Sequence, residues 1–428
     1  MPDLTPEQLP ELRSYRIPGF DLGDDFAYPN YTGRSILNLP ASICRLMSVP
    51  ELGNPPLAPE LLAALGDGAQ KVILVLMDAL GLEHLRRLIK EGKASIWRQL
   101  TEQGVLAPLT SITPSTTSAA LTSLWTGRSA AEHGIAGYEL WLKEYGVVAN
   151  TIRHAPMTFK GDAGSLSRAG FTPENFLPYT TLGTHLAAYG VDSYALQHHS
   201  ILTSGLSKMY FKDVDVRAFS TSTDLSVNLR KLLEDKAGER LFVWVYWDQI
   251  DYFSHFYGPD DERTVEEFSS FSHAFERLFL EPLTGRARSD TLVILTADHG
   301  QIATNPDPYY DLRNHPNLAR RLHILPTGEH RLMYLFVRPG QTEAVREYFE
   351  RTWPNQFAVT DSHYAVHSGL FGPGTPHPRL ADRLGDLLVA AHRNAYLWWA
   401  EREDHLFGRH GGLSPAEMLV PLLAVRLQ

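Results

Sequence analysis

Cysteine is almost absent from this chain of 428 residues, since Cys44 is the only one, and an intrachain disulfide is therefore excluded. No run approaches the roughly 20 consecutive apolar residues that a helix needs to span a bilayer. The first residues, MPDLTPEQLPELRSY, carry acids and prolines where a signal peptide has a basic and then an apolar stretch. We therefore expect a cytoplasmic protein with no membrane association.

Positive net charge is also lacking. The formal net charge is −10 and the isoelectric point is near 6.0, which argues against a basic surface for nucleic acid or anionic membrane. A phosphate substrate stays compatible with this charge because bound metal ions reverse the field locally. The G-x-S-x-G elbow of serine hydrolases and the G-x-x-x-x-G-K-[ST] phosphate loop are missing as well, which disfavours both of those classes.

What the chain does contain is three solidly apolar runs that each end at an aspartate: VILVLMD at Asp78, LFVWVYWDQID at Asp251 and TLVILTAD at Asp298. Such runs fit strands buried on both faces of a sheet. In open α/β sheets the reactive groups gather at the carboxyl ends of the strands. Because His255 and His299 lie close to two of these aspartates, the pattern indicates a site for divalent metal ions that acts on an anionic group such as phosphate.

The order of elements predicts an α/β fold with a largely parallel central sheet and helices on both faces. Predicted strands and helices alternate over residues 72–77, 83–91, 105–112, 117–125, 191–196, 241–247, 262–279 and 291–296. A final helix and strand lie in SPAEMLVPLLAVRL. The polar residues 138–180 are predicted to be irregular.

Three parts are expected along the chain. Residues 1–70 are rich in Pro, Tyr and Gly, with helix signals near 41–48 and 59–65, and are predicted to form an arm over the core. Residues 71–304 and 381–428 are predicted to form the catalytic core.

An inserted cap is expected between the two core segments. Residues 305–380 begin with loops rich in Pro and His, and then give a strand at 333–337, a helix at 342–352 and a strand at 357–360. They are predicted to form a small α+β cap. The chain is expected to return to the core at 384–391.

Three further side chains join the aspartates as candidate site residues. Thr117 starts a helix rich in small residues, where free backbone N–H groups favour anions, although most such threonines are ordinary N-caps. The spacing Asp251-x-x-x-His255 places both side chains on one helix face. His410 stands among glycines in GRHGGLSPAEM.

Together these residues make a set of metal ligands. Carboxylate and imidazole ligands suit zinc, and also manganese or iron. Six such ligands exceed the needs of one tetrahedral zinc and divide naturally between two ions ~4 Å apart. The candidate ligands, including the threonine hydroxyl, are Asp78, Thr117, Asp251, His255, Asp298, His299 and His410.

The order of these motifs resembles the alkaline phosphatase superfamily, in particular its type I phosphodiesterase/nucleotide pyrophosphatase branch. That order is a strand ending in Asp, a Thr at a helix start with downstream TG and HGI, then DxxxH, DHG and a late isolated HG. The motifs span roughly residues 70–300 and 405–425, and leave the arm and the cap uncovered. The resemblance implies a metallophosphoesterase fold with two metal ions, usually zinc.

The resemblance also implies roles for the matching residues. Asp251, His255 and His410 would hold one ion. Asp78, Asp298 and His299 would hold the other, together with the hydroxyl of the nucleophile. In the family the nucleophile lies nine residues before the threonine of the TG pair, here Thr126, which selects Thr117 over Thr116. A covalent phosphothreonine-type intermediate is expected.

One position departs from the family pattern. Tyr138 stands five residues after His133, where members of this branch often have an asparagine that donates to a phosphoryl oxygen. A tyrosine hydroxyl can donate too, so Tyr138 is a candidate substrate-binding residue.

The resemblance leaves the reaction type open. The leading hypothesis is a phosphodiesterase or nucleotide pyrophosphatase that acts on a small phosphate ester or nucleotide. A phosphomonoesterase or phosphonate hydrolase is the alternative within the same chemistry, and an inactive member used for binding is the alternative outside it. Monoesterases need cationic donors around the phosphoryl group, and near Thr117 only Arg128 is available, which favours a diester. The oligomeric state is left open.

Overall fold

The computed structural model describes residues 3–93, 95–158 and 162–427. Its strands are β1 Lys71–Met77, β2 Val105–Thr110, β3 Glu139–Leu142, β4 Val147–Asn150, β5 Ala155–Pro156, β6 Asp192–His198, β7 Asp215–Phe219, β8 Leu241–Trp247, β9 Thr291–Thr296, β10 Ile302–Ala303, β11 Thr327–Glu329, β12 Leu332–Leu335, β13 Phe357–Asp361, β14 Leu387–Ala391, β15 Gly408–Arg409 and β16 Leu419–Leu427. The ends of the predicted arm and core, residues 1–2 and 428, lie outside the described residues.

Helices fill the intervals between the strands. The α-helices are α1 Thr5–Ser14, α2 Leu39–Leu46, α3 Pro59–Leu65, α4 Leu82–Lys90, α5 Ser95–Gln103, α6 Thr117–Thr126, α7 Ala130–His133, α8 Pro173–Phe176, α9 Leu182–Ala187, α10 Gly205–Tyr210, α11 Ser222–Asp235, α12 Gln249–Tyr257, α13 Glu262–Phe275, α14 Gly285–Arg288, α15 Pro316–Ala319, α16 Thr342–Thr352, α17 Ser362–His367, α18 Leu380–Leu384 and α19 Pro415–Met418. Short 3₁₀ helices occupy Ile36–Asn38, Lys143–Tyr145, Ser165–Ala169, His199–Ile201, Pro308–Tyr310 and Leu312–Asn314, and a π-helix at Glu276–Leu280 continues α13. None of the helices in residues 3–93, 95–158 and 162–427 has the length and hydropathy needed to cross a membrane.

A seven-stranded sheet with the order β2-β16-β9-β1-β8-β6-β7 forms the centre of the described structure. β1 pairs in parallel with β8 and β9, and β6 pairs in parallel with β7 and β8. β16 runs antiparallel between β2 and β9. The predicted α/β class with a largely parallel sheet is therefore confirmed.

The three runs that end at aspartates form neighbouring strands. β9, β1 and β8 are adjacent in this order, and every residue in them is buried. Helices pack over the sheet, as α4 does by burying Leu82, Leu85 and Leu88 at helical spacing. Because parallel neighbours end at one edge of the sheet, the groups that follow these strands meet there.

A second sheet, with the order β13-β14-β12-β11-β3-β4-β5 and antiparallel pairs, extends beyond the predicted cap. The prediction that residues 138–180 are irregular is wrong, because β3, β4 and β5 lie there. Within the segment 384–391, which is predicted to return to the core, β14 pairs with β12 and β13 of the second sheet. The division into arm, core and cap remains a prediction.

The N-terminal arm contains a helix that the sequence analysis missed. α1 begins with proline in its first turn, where the missing N–H costs nothing. It buries Leu9 and Leu12, and the backbone N–H of Leu4 donates to the carbonyl of Leu106 at 2.8 Å. Tertiary packing on β2 thus outweighs the low helix propensity of this segment, which includes Pro10.

Candidate metal centre and nucleophile

The edge of the central sheet brings the three aspartates together. Asp78 follows β1 directly, and Asp298 lies two residues after β9. Asp251 lies in the first turn of α12, which follows β8. The sequence prediction that the three runs end at one site thus agrees with the strand order.

Four side chains converge in a first group. His299 Nε2 lies 3.3 Å from Asp78 Oδ1 and 3.4 Å from Asp298 Oδ2. Thr117 Oγ1 lies 3.2 Å from His299 Nε2 and 3.5 Å from Asp78 Oδ2. All four side chains are buried, so the group is largely shielded from bulk water.

Asp251, His255 and His410 form a second group beside the first. Nε2 of His255 and of His410 lie 3.3 and 3.7 Å from Asp251 Oδ1. The rings of His410 and His299 stack with centroids 3.9 Å apart. Ligand atoms of Asp251, His299 and His410 lie within 4.8 Å of one another, as do those of Asp78, Asp298 and His299. His299 therefore contacts both groups, whereas the resemblance assigns it to one.

Each of the three histidines is held by a backbone carbonyl. The contacts are His255 Nδ1 to Gly408 O at 2.8 Å, His299 Nδ1 to Gly300 O at 3.0 Å and His410 Nδ1 to Ser115 O at 3.2 Å. A carbonyl only accepts, so each Nδ1–H donates to it and each Nε2 is directed toward the site. Metal-binding histidines are oriented in this way.

Two carboxylate oxygens of the first group lack a hydrogen-bond donor among the described residues. Burial, reinforced by the charges of Asp298 and Asp251, raises the pKa of Asp78 well above its ordinary value. Burial also raises the pKa of Asp298. Among the described residues, Asp78 Oδ1 and Asp298 Oδ2 are buried without a hydrogen-bond partner, and both face His299 Nε2. Such a cluster needs a cation or a proton between its members, and its donor set fits zinc, manganese or iron.

In the second group the carboxylate is stabilised in its ionised form by neighbouring histidines. Burial alone would raise the pKa of Asp251, but His255 and His410 offset it and hold that pKa below the ordinary value. Burial, followed by the neighbouring His299, lowers the pKa of His410 well below its ordinary value. An unprotonated imidazole beside an ionised carboxylate is the state that binds a metal ion.

The start of α6 distinguishes the two adjacent threonines. Thr116 is the extended N-cap residue and its side chain makes no capping bond. Its side chain lies next to the carboxyl group of Glu329 on β11. Of the two threonines, Thr117 is the one that reaches Asp78 and His299. The geometry therefore favours Thr117 as the residue that meets the substrate.

Two polar residues that the sequence analysis did not single out orient the aspartates. The Tyr246 hydroxyl donates to Asp78 Oδ2, and Gln301 Nε2 donates to Asp251 Oδ1 at 2.6 Å. Tyr246 lies within the apolar run of β8, where a tyrosine is an ordinary strand residue. No sequence signal marks either one as part of a site.

A buried ion pair ties the metal-binding loops to the second sheet. Arg331, in the turn between β11 and β12, donates from Nε and Nη2 to the two carboxylate oxygens of Glu417 at 2.7 and 2.9 Å. Glu417 accepts from the N–H of Gly412 at 2.9 Å, and its carbonyl accepts from the N–H of Gly300 at 2.8 Å. The pair thus fixes the segments that follow His410 and the DHG motif.

His133 of the HGI motif has a local structural role. Its Nε2 lies 3.1 Å from the hydroxyl of Ser123 on α6, and its Nδ1 accepts from the N–H of Ile135 at 3.0 Å. These contacts brace the helix that begins with Thr117.

Tyr138 lies directly before β3. Its backbone N–H donates to Glu329 Oε1 at 2.6 Å, and burial, followed by the charge of Glu139, raises the pKa of its hydroxyl. It does not line the cavity that the described residues form beside Thr117. Its role in substrate binding remains a prediction.

Known proteins resemble this chain in sequence profile and in fold. The family described as type I phosphodiesterase/nucleotide pyrophosphatase matches residues 72–413. Murine ectonucleotide pyrophosphatase/phosphodiesterase 5 superposes with a TM-score of 0.59 at 18% identity, covering 83% of this chain and 88% of its own. Phosphonoacetate hydrolase from Sinorhizobium meliloti 1021, in complex with phosphonoformate, superposes with a TM-score of 0.57 at 18% identity, covering 83% of this chain and 90% of its own. No curated protein matches the chain in sequence.

The family match and the shared fold define a hydrolase that acts on phosphoric ester or pyrophosphate bonds. The chain belongs to the type I phosphodiesterase/nucleotide pyrophosphatase family, within the alkaline phosphatase superfamily. The family and the two ligand groups support divalent metal ions in the site.

Proposed function

We propose that the chain is a phosphodiesterase or nucleotide pyrophosphatase with Thr117 as its nucleophile and two divalent metal ions, of which zinc fits the ligands best. The observation that carries the proposal is the approach of Thr117 Oγ1 to His299 Nε2 and Asp78 Oδ2 within 3.5 Å at the start of α6. A metal ion there would lower the pKa of the hydroxyl and stabilise charge on the phosphoryl oxygens.

The ligands divide into two sets. Asp78, Asp298 and His299 would hold the ion next to Thr117, and their unpartnered buried oxygens support this assignment. The other ion would be held by the second group, Asp251, His255 and His410. The orientation of each Nε2 toward the site supports both sets.

The protein's own groups carry the reaction. Thr117 Oγ1 loses its proton and bonds to phosphorus while the ester P–O bond breaks. The organic group leaves as an alcohol that takes up this proton, and the phosphoryl group stays on Thr117. Water then cleaves the bond between Thr117 and phosphorus. The free backbone N–H groups in the first turn of α6 would bind phosphoryl oxygens during both steps.

Small phosphate esters and nucleotides are the proposed substrates. An inactive variant of murine ectonucleotide pyrophosphatase/phosphodiesterase 5 is in complex with AMP, which supports a nucleotide. The phosphonoacetate hydrolase fold match keeps a phosphonate hydrolase as the second candidate. A cytoplasmic location stays a prediction from the sequence.

A comparison of rates on three esters tests the proposal. The metal-free protein is given zinc, manganese or iron and assayed on an aryl phosphate monoester, a bis-aryl diester and a nucleotide aryl ester. We expect the two diesters to be hydrolysed faster than the monoester, and only with metal present. A faster monoester would indicate a phosphomonoesterase, and no turnover with any metal would indicate a binding protein.

A further inference from the structure

A cavity of about 240 Å³ opens beside Thr117, between α6, α10 and α12. Asp78, Asp251 and His255 line the same cavity, so a group bound there is next to the proposed reaction centre. The volume lies below the range of about 300–1,000 Å³ that is typical for pockets of drug-sized ligands. The cavity therefore suits a single compact group rather than an entire large substrate.

Two aromatic side chains on α12 stand at the cavity. Tyr252 directly follows the proposed ligand Asp251, and Phe256 directly follows the proposed ligand His255. The two aromatic residues are therefore four positions apart, like the two ligands, and form a neighbouring row on the same helix. Their ring centroids lie 5.0 Å apart, and the residues are 53% and 41% exposed. Exposed aromatic faces beside a reactive site offer a flat apolar surface to a ligand.

Other elements also contribute aromatic side chains to the cavity. Trp125, Tyr210, Trp244 and Tyr246 line the cavity from α6, α10 and β8. The Tyr210 hydroxyl lies 2.7 Å from Thr122 Oγ1, which fixes the ring against α6. A flat group that enters the cavity thus meets aromatic side chains from several elements of the fold.

Apart from the proposed metal centre, the charge that faces the cavity is negative. Within the described part of the chain, no lysine or arginine lines the cavity. Asp248 does line it, accepts a hydrogen bond from Gln249 Nε2 at 2.8 Å and has no ion pair with a described residue. Burial, followed by the Asp248 charge, raises the pKa of Glu267.

We propose that this cavity binds the organic group esterified to the phosphate and selects an uncharged or cationic aromatic group against an anionic one, with Asp248 as the residue that discriminates. An anionic group would lie in the field of the Asp248 carboxylate, and no lysine or arginine among the described lining residues offsets that field. The inference rests on the proposed phosphoesterase function. It separates this chain from a phosphonoacetate hydrolase, because phosphonoacetate carries a carboxylate.

A matched series of substrates tests the selectivity. Three esters are prepared, with phenyl, 4-carboxyphenyl or 4-(trimethylammonio)phenyl as the organic group. All three are phosphate monoesters or all three are diesters, according to which type the unmodified protein hydrolyses. For each ester, kcat/KM of Asp248→Asn is divided by that of the unmodified protein, so that the intrinsic reactivity of the ester cancels. Relative to the ratio for the phenyl ester, we expect the ratio to rise roughly five- to tenfold for the carboxyphenyl ester and to fall by a similar factor for the ammonium ester.

Asp235→Asn is the matched control. It removes the same charge at the exposed end of α11, away from the cavity, and should leave all three ratios near one. Equal ratios for all esters in Asp248→Asn would overturn the inference while leaving the proposed function intact. Failure of the unmodified protein to hydrolyse any ester would instead overturn the proposed function.

Binding gives a readout that needs neither turnover nor the Asp248 variant. Calorimetric titration of the three aryl phosphates into Thr117→Ala, with Asp248 unchanged, should give weaker binding for the carboxyphenyl compound than for the phenyl compound. Equal or tighter binding of the carboxyphenyl compound would contradict the selectivity of the cavity.

Discussion

At the scale of single residues, His299 connects the two halves of the site. Its Nε2 lies within 3.4 Å of Asp78, Asp298 and Thr117. Its ring also stacks on His410 of the second group. A proton or ion held near His299 therefore affects both groups, and the proposed nucleophile responds to the charge of the whole cluster.

Replacement of Thr117 by alanine isolates the proposed nucleophile. We expect Thr117→Ala to lose at least ~10³-fold in kcat, because the attacking oxygen is removed while the carboxylate and imidazole ligands remain. Metal content per chain, measured by elemental analysis, should be retained. Thr116→Ala is the control and should keep most of the activity, since Thr116 faces Glu329; full activity in Thr117→Ala would show that the nucleophile is elsewhere.

Residue-level prediction from the sequence is possible where a side chain is set apart by its position. An aspartate at the end of a wholly apolar run, or a histidine among glycines, stands out because nothing in strand formation requires it. Asp248 directly follows the apolar run of β8 and meets the same criterion. Tyr246 and Gln301 could not be predicted in the same way. Each is an ordinary residue in its own segment and becomes part of the site only through contacts with distant parts of the chain.

At the scale of elements, the turn between β11 and β12 connects the second sheet to the catalytic loops. Arg331 and Glu417 are both fully buried, and their bidentate contact is combined with backbone bonds to the segments that follow His410 and the DHG motif. A buried pair of this kind costs much more to break than an exposed one, because the remaining charge has no water to solvate it.

Arg331→Met tests this connection. We expect a loss of about 3–5 kcal/mol in the free energy of unfolding, because Glu417 is left buried without its partner. Metal affinity of the folded protein should fall as well, since the His410 segment is no longer held. Denaturant unfolding of the metal-free protein and competition with a chromophoric chelator measure the two effects.

Arg263→Met is the control for that substitution, because it breaks an exposed pair with Asp261. It should leave metal affinity unchanged and have little effect on stability. An Arg331→Met variant that behaved like Arg263→Met would show that the buried pair does not position the loops.

Whether a strand can be predicted from the sequence depends on its length and on how deeply it is buried. β1, β8 and β9 are buried on both faces over six or seven residues, so their sequences are uninterrupted apolar runs. β3 and β4 have four residues each and β5 has two, too few for a recognisable pattern. β14 is fully buried and would suit either sheet, so only its pairing partners decide where it lies.

At the scale of the whole molecule, a net charge of −10 coexists with a site for an anionic substrate. Long-range attraction therefore cannot bring phosphate to the site, and local positive charge has to do so. Three aspartates at one edge of the sheet are consistent with metal ions as that source. Because the chain itself is negatively charged, the proposed phosphoesterase reaction requires metal ions both to bind the phosphate and to hydrolyse it.

The number of metal ions per chain, measured in the same sample as phosphoesterase activity, tests the central claim most directly. Elemental analysis before and after chelation should give two divalent ions per chain, loss of activity when they are removed and recovery when zinc is returned. Asp298→Asn should retain about one ion and little activity, because an amide is a poorer ligand than a carboxylate. Undiminished activity in a metal-free sample, or two ions and a full rate in Asp298→Asn, would contradict the account.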